Sequence, residues 1–178
     1  PAQKPLTDYV NPMLGTATLW DSVDLGFKPT KRTWGAEVFP GSSLPNAMVQ
    51  VSPVTKFHSG AGYQYEDSVI YGFTHTNKGH WNLCHIPLLP VTGTPTPGDY
   101  CSPFSHERES AAPGYYQVFL DRYGVDAQLS STLRCAFHKY TYPAGAAASL
   151  LADLQRSNEH VRAWDIRKEG DNVFAGWQ

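Results

Sequence analysis

The chain has 178 residues and a net charge of −2, enough for one domain with a real core and without the basic stripe that a nucleic-acid surface needs. Hydrophobic residues make up 41% and charged ones 17%, a balance that excludes a disordered chain, and no apolar run reaches the length of a membrane span. The first residue is Pro1 and the first eight are polar and Pro-rich, so an upstream targeting segment is expected to have been removed, which gives a periplasmic, secreted or cell-surface location as the expectation.

In chain order, short apolar runs separated by turn residues predict strands at 47–51, 62–65, 71–75, 85–91, 115–120, 127–132, 135–142, 149–153, 161–168 and 173–177. Tyr116-Gln117-Val118-Phe119-Leu120 and Val125-Asp126-Ala127-Gln128-Leu129 alternate with the period of a half-buried strand. Asp121-Arg122-Tyr123-Gly124 and Glu169-Gly170-Asp171-Asn172 read as hairpin connections. Leu150 to Trp164 is the one helical candidate, but Ser157-Asn158 is a turn signal and the following residues alternate, which favours strand, turn, strand. About ten antiparallel strands imply an all-β chain folded as a large antiparallel β-sandwich. The three cysteines, Cys84, Cys101 and Cys135, match no zinc spacing; one disulfide with a free thiol and three buried thiols both remain open.

Three stretches without strand character, 15–40, 76–84 and 93–113, are long enough to be functional loops. The first holds Trp20, Asp21, Asp24, Trp34, Glu37 and Phe39 and ends in Phe39-Pro40-Gly41. Its tryptophans could stack on the C–H face of a pyranose; capping of the sandwich edge is the competing reading for Trp34 and Phe39. The second runs from His75 through Asn77, Lys78, His80 and Trp81 to His85. Its histidines lie five apart, which puts no two on one helix face and matches no metal motif, so hydrogen bonding is their expected use. In the third, Ser105 is expected to cap backbone amides, and His106 with Glu107 to pin the loop to the sheet. Adjacent residues point apart in extended chain, so Ser105 and His106 form no catalytic dyad.

Glycoside hydrolysis requires two carboxylates about 5–10 Å apart. Asp21, Asp24, Glu37, Glu66, Asp67 and Glu107 are the candidates, and nothing in the sequence pairs any two of them. No catalytic residue and no metal ligand is therefore assigned within this chain.

Read in order, eight motifs resemble the N-terminal domain of glycoside hydrolase family 92, the calcium-dependent exo-α-mannosidases. They are Asp8-Tyr9-Val10-Asn11-Pro12 with Gly15-Thr16, Phe39-Pro40-Gly41, the run from Pro45 to Pro53, Gly62-Tyr63-Gln64-Tyr65, the run from Ile70 to Thr76, Ser102 to Glu107, Pro113-Gly114-Tyr115-Tyr116 and Phe137 to Pro143. The resemblance implies a β-supersandwich like that of galactose mutarotase, followed by an (α/α)6 barrel downstream of residue 178. It implies removal of terminal α-mannose from mannosides and N-glycans with inversion, with the acid, the base and the Ca2+ ligands on the barrel. This chain alone is then expected to be inactive, with a mannose-containing glycan and the catalytic domain of the same protein as its partners.

By position, the resemblance makes Phe39, Gly41, His75, Asn77, Lys78, His80 and Trp81 the substrate-binding residues. Trp81 would stack on the leaving-group sugar. The segments 34–38 and 77–81 depart from the family pattern, so linkage preference does not transfer. Pro113 to Tyr116 and Phe137 to Pro143 are expected to be scaffold. Two other readings compete: a free-standing carbohydrate-binding module built on Trp20, Trp34 and Trp81, and a small mutarotase-like enzyme with His75 or His85 as acid and Glu37 or Glu107 as base.

Overall fold

The computed structural model describes residues 3–18, 26, 37–77 and 83–178. Among these residues the chain forms thirteen strands and two short 3-10 turns, at Leu6–Tyr9 and His106–Arg108. The strands are β1 (Ser42–Ser43), β2 (Gln50–Val54), β3 (Val69–Ile70), β4 (Gly72–Thr74), β5 (Leu88–Thr92), β6 (Ser102–Pro103) and β7 (Glu109–Ala112). They continue with β8 (Tyr115–Leu120), β9 (Val125–Ser131), β10 (Ala136–Thr141), β11 (Ala148–Ala152), β12 (Asp165–Lys168) and β13 (Phe174–Trp177). All named strand pairs are antiparallel.

A five-stranded sheet in the order β1-β2-β4-β5-β11 faces a four-stranded sheet in the order β10-β9-β8-β7, and β12-β13 and β3-β6 form two separate two-stranded sheets. The core lies between the two larger sheets. Val51, Phe73, Leu89 and Val91 enter it from the first, and Tyr116, Val118, Leu120, Val125, Ala127 and Leu129 from the second. The inward residues of β8 and β9 are those that alternation selects, because successive side chains on a strand point to opposite faces.

Both expected hairpin turns form. Leu120 faces Val125 across 121–124, where Gly124 donates its N–H to the Leu120 carbonyl at 2.8 Å with φ of +63°. Lys168 faces Phe174, and the Glu169 N–H closes the turn on the Val173 carbonyl at 2.9 Å. Pro113-Gly114 makes a two-residue turn from β7 into β8, with Gly114 at φ +76°, a left-handed position that suits glycine. The segment after β11 contains no helix, as the turn signal at Ser157-Asn158 requires.

Some expectations change. The segment 62–65 is not a strand: Gly62 has φ +75°, and its carbonyl accepts N–H bonds from Thr55 and Lys56. The expected strand at 47–51 begins only at Gln50, since Ala47 closes a turn on the Leu44 carbonyl after Asn46 at φ +58°. The stretch 93–113 carries β6, β7 and a 3-10 turn and is not one long loop. The three cysteines are free thiols and only Cys84 is buried; Cys135 is exposed, which removes both the disulfide and the three-buried-thiols alternatives.

Candidate functional site

The connection from β4 to β5 is a long loop whose two shoulders are locked together. The His75 N–H reaches the His85 carbonyl at 3.4 Å, and the His85 N–H donates to Thr76 Oγ1 at 3.0 Å. Asn77 is fully buried, and its Nδ2 donates to the Gln50 and Thr74 carbonyls, each at 2.8 Å. Its Oδ1 accepts from Thr74 Oγ1 at 2.9 Å. Asn77 therefore fastens the loop to β2 and β4, with its side chain buried.

The second shoulder has unusual backbone. Cys84 and Ile86 adopt φ of +52° and +49°, a left-handed conformation that is an outlier for a β-branched residue and costs about 1–3 kcal/mol at each position. Neighbours hold it in place. The Ile86 N–H donates to Gln178 Oε1 at 2.9 Å, while Gln178 Nε2 donates to the Leu154 carbonyl at 2.9 Å, and the Asn158 N–H binds the Leu83 carbonyl at 3.0 Å. Burial pushes the Cys84 thiol up to about 12, so it carries no nucleophile at neutral pH.

His75 sits between the shoulders with both ring nitrogens engaged. Nδ1 lies 3.2 Å from the Ile86 carbonyl, and Nε2 lies 2.9 Å from His138 Nε2, whose Nδ1 is in turn 2.7 Å from the Tyr140 hydroxyl. His138 and Tyr140 are inward positions of β10, so the contact crosses from one sheet to the other. Burial lowers the basicity of both imidazoles, His138 to about 3. Both His75 ring nitrogens are thus engaged within the protein and not turned to a ligand. Phe137 to Pro143, expected to be scaffold, supplies two members of this cluster.

The other expected site residues divide. Phe39 is half-buried. Gly41 is required by close approach: a Cβ there would lie 2.1 Å from the Val51 carbonyl oxygen and 2.5 Å from Ser52 Cα. Its glycine thus serves the β1–β2 contact. Lys78, His80 and Trp81, together with Trp20, Asp21, Asp24 and Trp34, lie outside the described residues. Beside the second shoulder His85 borders a cleft of about 310 Å³ with Glu159, His160, Arg162 and Trp177. Its lining mixes the Trp177 ring with the polar groups of Glu159 and Arg162, a combination that a sugar ring favours.

Of the candidate carboxylates, Glu66 accepts from the Thr18 N–H at 2.6 Å and Asp67 from Thr55 Oγ1 at 2.7 Å. Both are tied into the fold. The buried carboxylate is Glu109, which sequence reasoning missed. It accepts from Tyr63 at 3.0 Å and Tyr116 at 2.5 Å and lies 2.5 Å from His106 Nδ1. Its side chain is 2% exposed. His106 Nε2 donates to the Tyr65 carbonyl at 2.7 Å, and its ring stacks on Tyr65. His106 thus pins its loop through Glu109 and not through Glu107, while Ser105 caps the Glu107 N–H as expected. The signal was present: Glu109 is the acid at an inward strand position beside two Tyr-rich motifs. Among the described residues, no group of three or more His, Cys, Asp or Glu could hold a metal ion. Among the described residues, no helix is long and apolar enough to cross a membrane.

Residues 9–178 match the model of the glycosyl hydrolase family 92 N-terminal domain. No curated protein matches the chain. Among solved structures, a family GH92 α-mannosidase from Bacteroides thetaiotaomicron in complex with mannoimidazole is 30% identical, with a TM-score of 0.82 over 97% of this chain and 23% of its own. A GH92 family glycosyl hydrolase matches 94% of this chain at 27% identity and a TM-score of 0.72 over 23% of its own length. The family GH92 inverting mannosidase from Bacteroides thetaiotaomicron VPI-5482 matches 85% of this chain at 27% identity and a TM-score of 0.66, over 20% of its own length. This chain thus spans about a quarter of the length of such relatives. Its all-β sandwich, its ordered motifs and these matches place it in glycoside hydrolase family 92, as an N-terminal domain.

Proposed function

We propose that this domain forms one wall of the substrate pocket of an inverting exo-α-mannosidase that removes terminal α-mannose from glycans. The observation that carries the reading is the locked base of the β4–β5 loop. A strained, hydrogen-bonded frame adjoins the cleft beside His85. A rigid frame beside a cleft with an aromatic lining residue suits a sugar site.

Inversion needs an acid and a base about 6.5–9.5 Å apart with a water between them. The described carboxylates bonded into the fold, Glu66, Asp67 and Glu109, do not serve it. The pair, and the ligands for a calcium ion, would then come from the rest of the enzyme, and the mature protein would act in the periplasm, at the cell surface or after secretion. The test follows the full-length protein on an aryl α-mannoside, with the first-formed anomer read by NMR. The expected product is β-mannose, chelation should abolish turnover, and Trp81→Ala should lower kcat/KM without unfolding the domain. Hydrolysis by the 178-residue chain alone, without metal, would refute the division of labour. Saturable mannose binding by that chain in calorimetry would instead favour the binding-module reading.

A further inference from the structure

Resting on the pocket reading above, we propose that His138 and Tyr140 are positioning residues for the substrate loop: they orient the His75 imidazole, which ties the loop's two shoulders together. Proton bookkeeping along the chain of contacts carries the assignment. The Ile86 carbonyl only accepts, so His75 Nδ1 must bear a hydrogen to bond it at 3.2 Å. A neutral imidazole protonated at Nδ1 has its lone pair on Nε2 and must accept there. The atom facing it at 2.9 Å is His138 Nε2, which therefore carries a hydrogen and leaves His138 Nδ1 as the acceptor. The Tyr140 hydroxyl, 2.7 Å away, is the donor it needs. Donation runs one way, Tyr140 to His138 to His75 to Ile86, and the two histidines are held in opposite tautomers.

The placement of this chain gives it leverage. His75 follows β4 in the five-stranded sheet, while His138 and Tyr140 sit in β10 of the other sheet. Phe73 of β4 packs between them, its ring edge-on to His138 and stacked on Tyr140 at 6.3 Å. The loop is thereby referenced to both sheets, and Ile86 is held in a conformation that it would not keep unassisted. One proton added to the pair goes on His138 Nδ1 and reverses that bond alone, with the Tyr140 hydroxyl turning from donor to acceptor. A second would set two N–H groups against each other.

The experiment uses the full-length enzyme. Tyr140→Phe deletes one hydroxyl and keeps the ring packing, so the fold should persist. The expected result is a rise in KM for an aryl α-mannoside of about 3- to 10-fold, the span of one lost hydrogen bond, with kcat changed less than about 2-fold. His138→Leu should do the same or more, and His138→Gln, which keeps a donor and an acceptor, should restore KM to within about 2-fold of wild type. Hydrogen exchange in peptides covering 83–87 should accelerate in Tyr140→Phe and in His138→Leu. Wild-type KM in both variants, or equal falls in kcat for His138→Leu and His138→Gln, would overturn the positioning role. Should the wild-type enzyme not act on α-mannosides, the pocket reading fails by itself. Exchange at 83–87 then decides the clasp: faster exchange in the variants supports it, and unchanged exchange ends it.

Discussion

Replacing Glu109 by alanine should unfasten the middle of the sandwich. The carboxylate receives Tyr63 on both oxygens at 3.0 Å, Tyr116 at 2.5 Å and His106 at 2.5 Å. Tyr63 and Tyr116 have no exposed surface, so neither hydroxyl can turn to water when its acceptor is removed. A buried polar group left without a partner costs about 1–3 kcal/mol, and two of them cost roughly 2–6 kcal/mol, a large part of the 5–15 kcal/mol typical of a whole domain. Glu109→Gln should be milder, because an amide oxygen still accepts from the tyrosines and only the contact with His106 must be remade. Native-state hydrogen exchange in peptides spanning β7 and β8, taken through a urea series, reads the loss locally and needs no two-state assumption for the whole enzyme. An opening free energy for Glu109→Ala within about 1 kcal/mol of wild type would refute the reasoning, as would a glutamine variant weaker than the alanine one.

Two further outcomes follow from the same physics. His138 is held neutral with its pKa lowered to about 3, mainly by burial, whereas in the unfolded chain it protonates near 6.5. The unfolded state therefore binds more protons in acid. Stability is fully present above about pH 6.5, falls by up to about 1.4 kcal/mol per unit below it, and levels off near pH 3; a melting temperature that tracks pH in wild type but less steeply in His138→Gln is the check. Gly41→Ala should prevent correct closure of β1 on β2, since the new methyl would sit 2.1 Å from a backbone oxygen that has no rotamer to change. A soluble Gly41→Ala protein melting within about 2 °C of wild type, less than even 1 kcal/mol would shift it, would contradict that contact.

The sandwich was legible because its longest hairpin obeys local rules. Tyr115 to Ser131 alternates through two strands around a turn ending in Gly124, so neighbours in sequence are also neighbours in space. Of the strands that escaped notice, β1, β3 and β6 are two residues long, too short for any period to register, and β7 is the short, weakly apolar run Glu109-Ser110-Ala111-Ala112. The segment 62–65 misled for the opposite reason. It has strand composition, but Tyr63 is drawn inward to Glu109 and Gly62 breaks the extended backbone. The loop from His75 to His85 was legible as a dense polar segment, yet the role of its first residue was not. His75 depends on His138, 63 positions away, and on a carbonyl whose direction is set by a left-handed Ile86. A residue's chemistry here is decided by what exhausts its hydrogen-bonding capacity, and that is a property of three dimensions.

The left-handed shoulder at Cys84 and Ile86 bears on how such a domain diversifies. Among the described residues, the bonds that hold the frame come from Gln50, Thr74, His75, Thr76, Asn77, Asn158 and Gln178, positions spread along most of the chain. A shoulder anchored from so many places in the chain is a point at which distant substitutions meet. A change at any one anchor meets the same strained backbone, so substitutions at these positions constrain one another, and a viable new sequence needs them to change together.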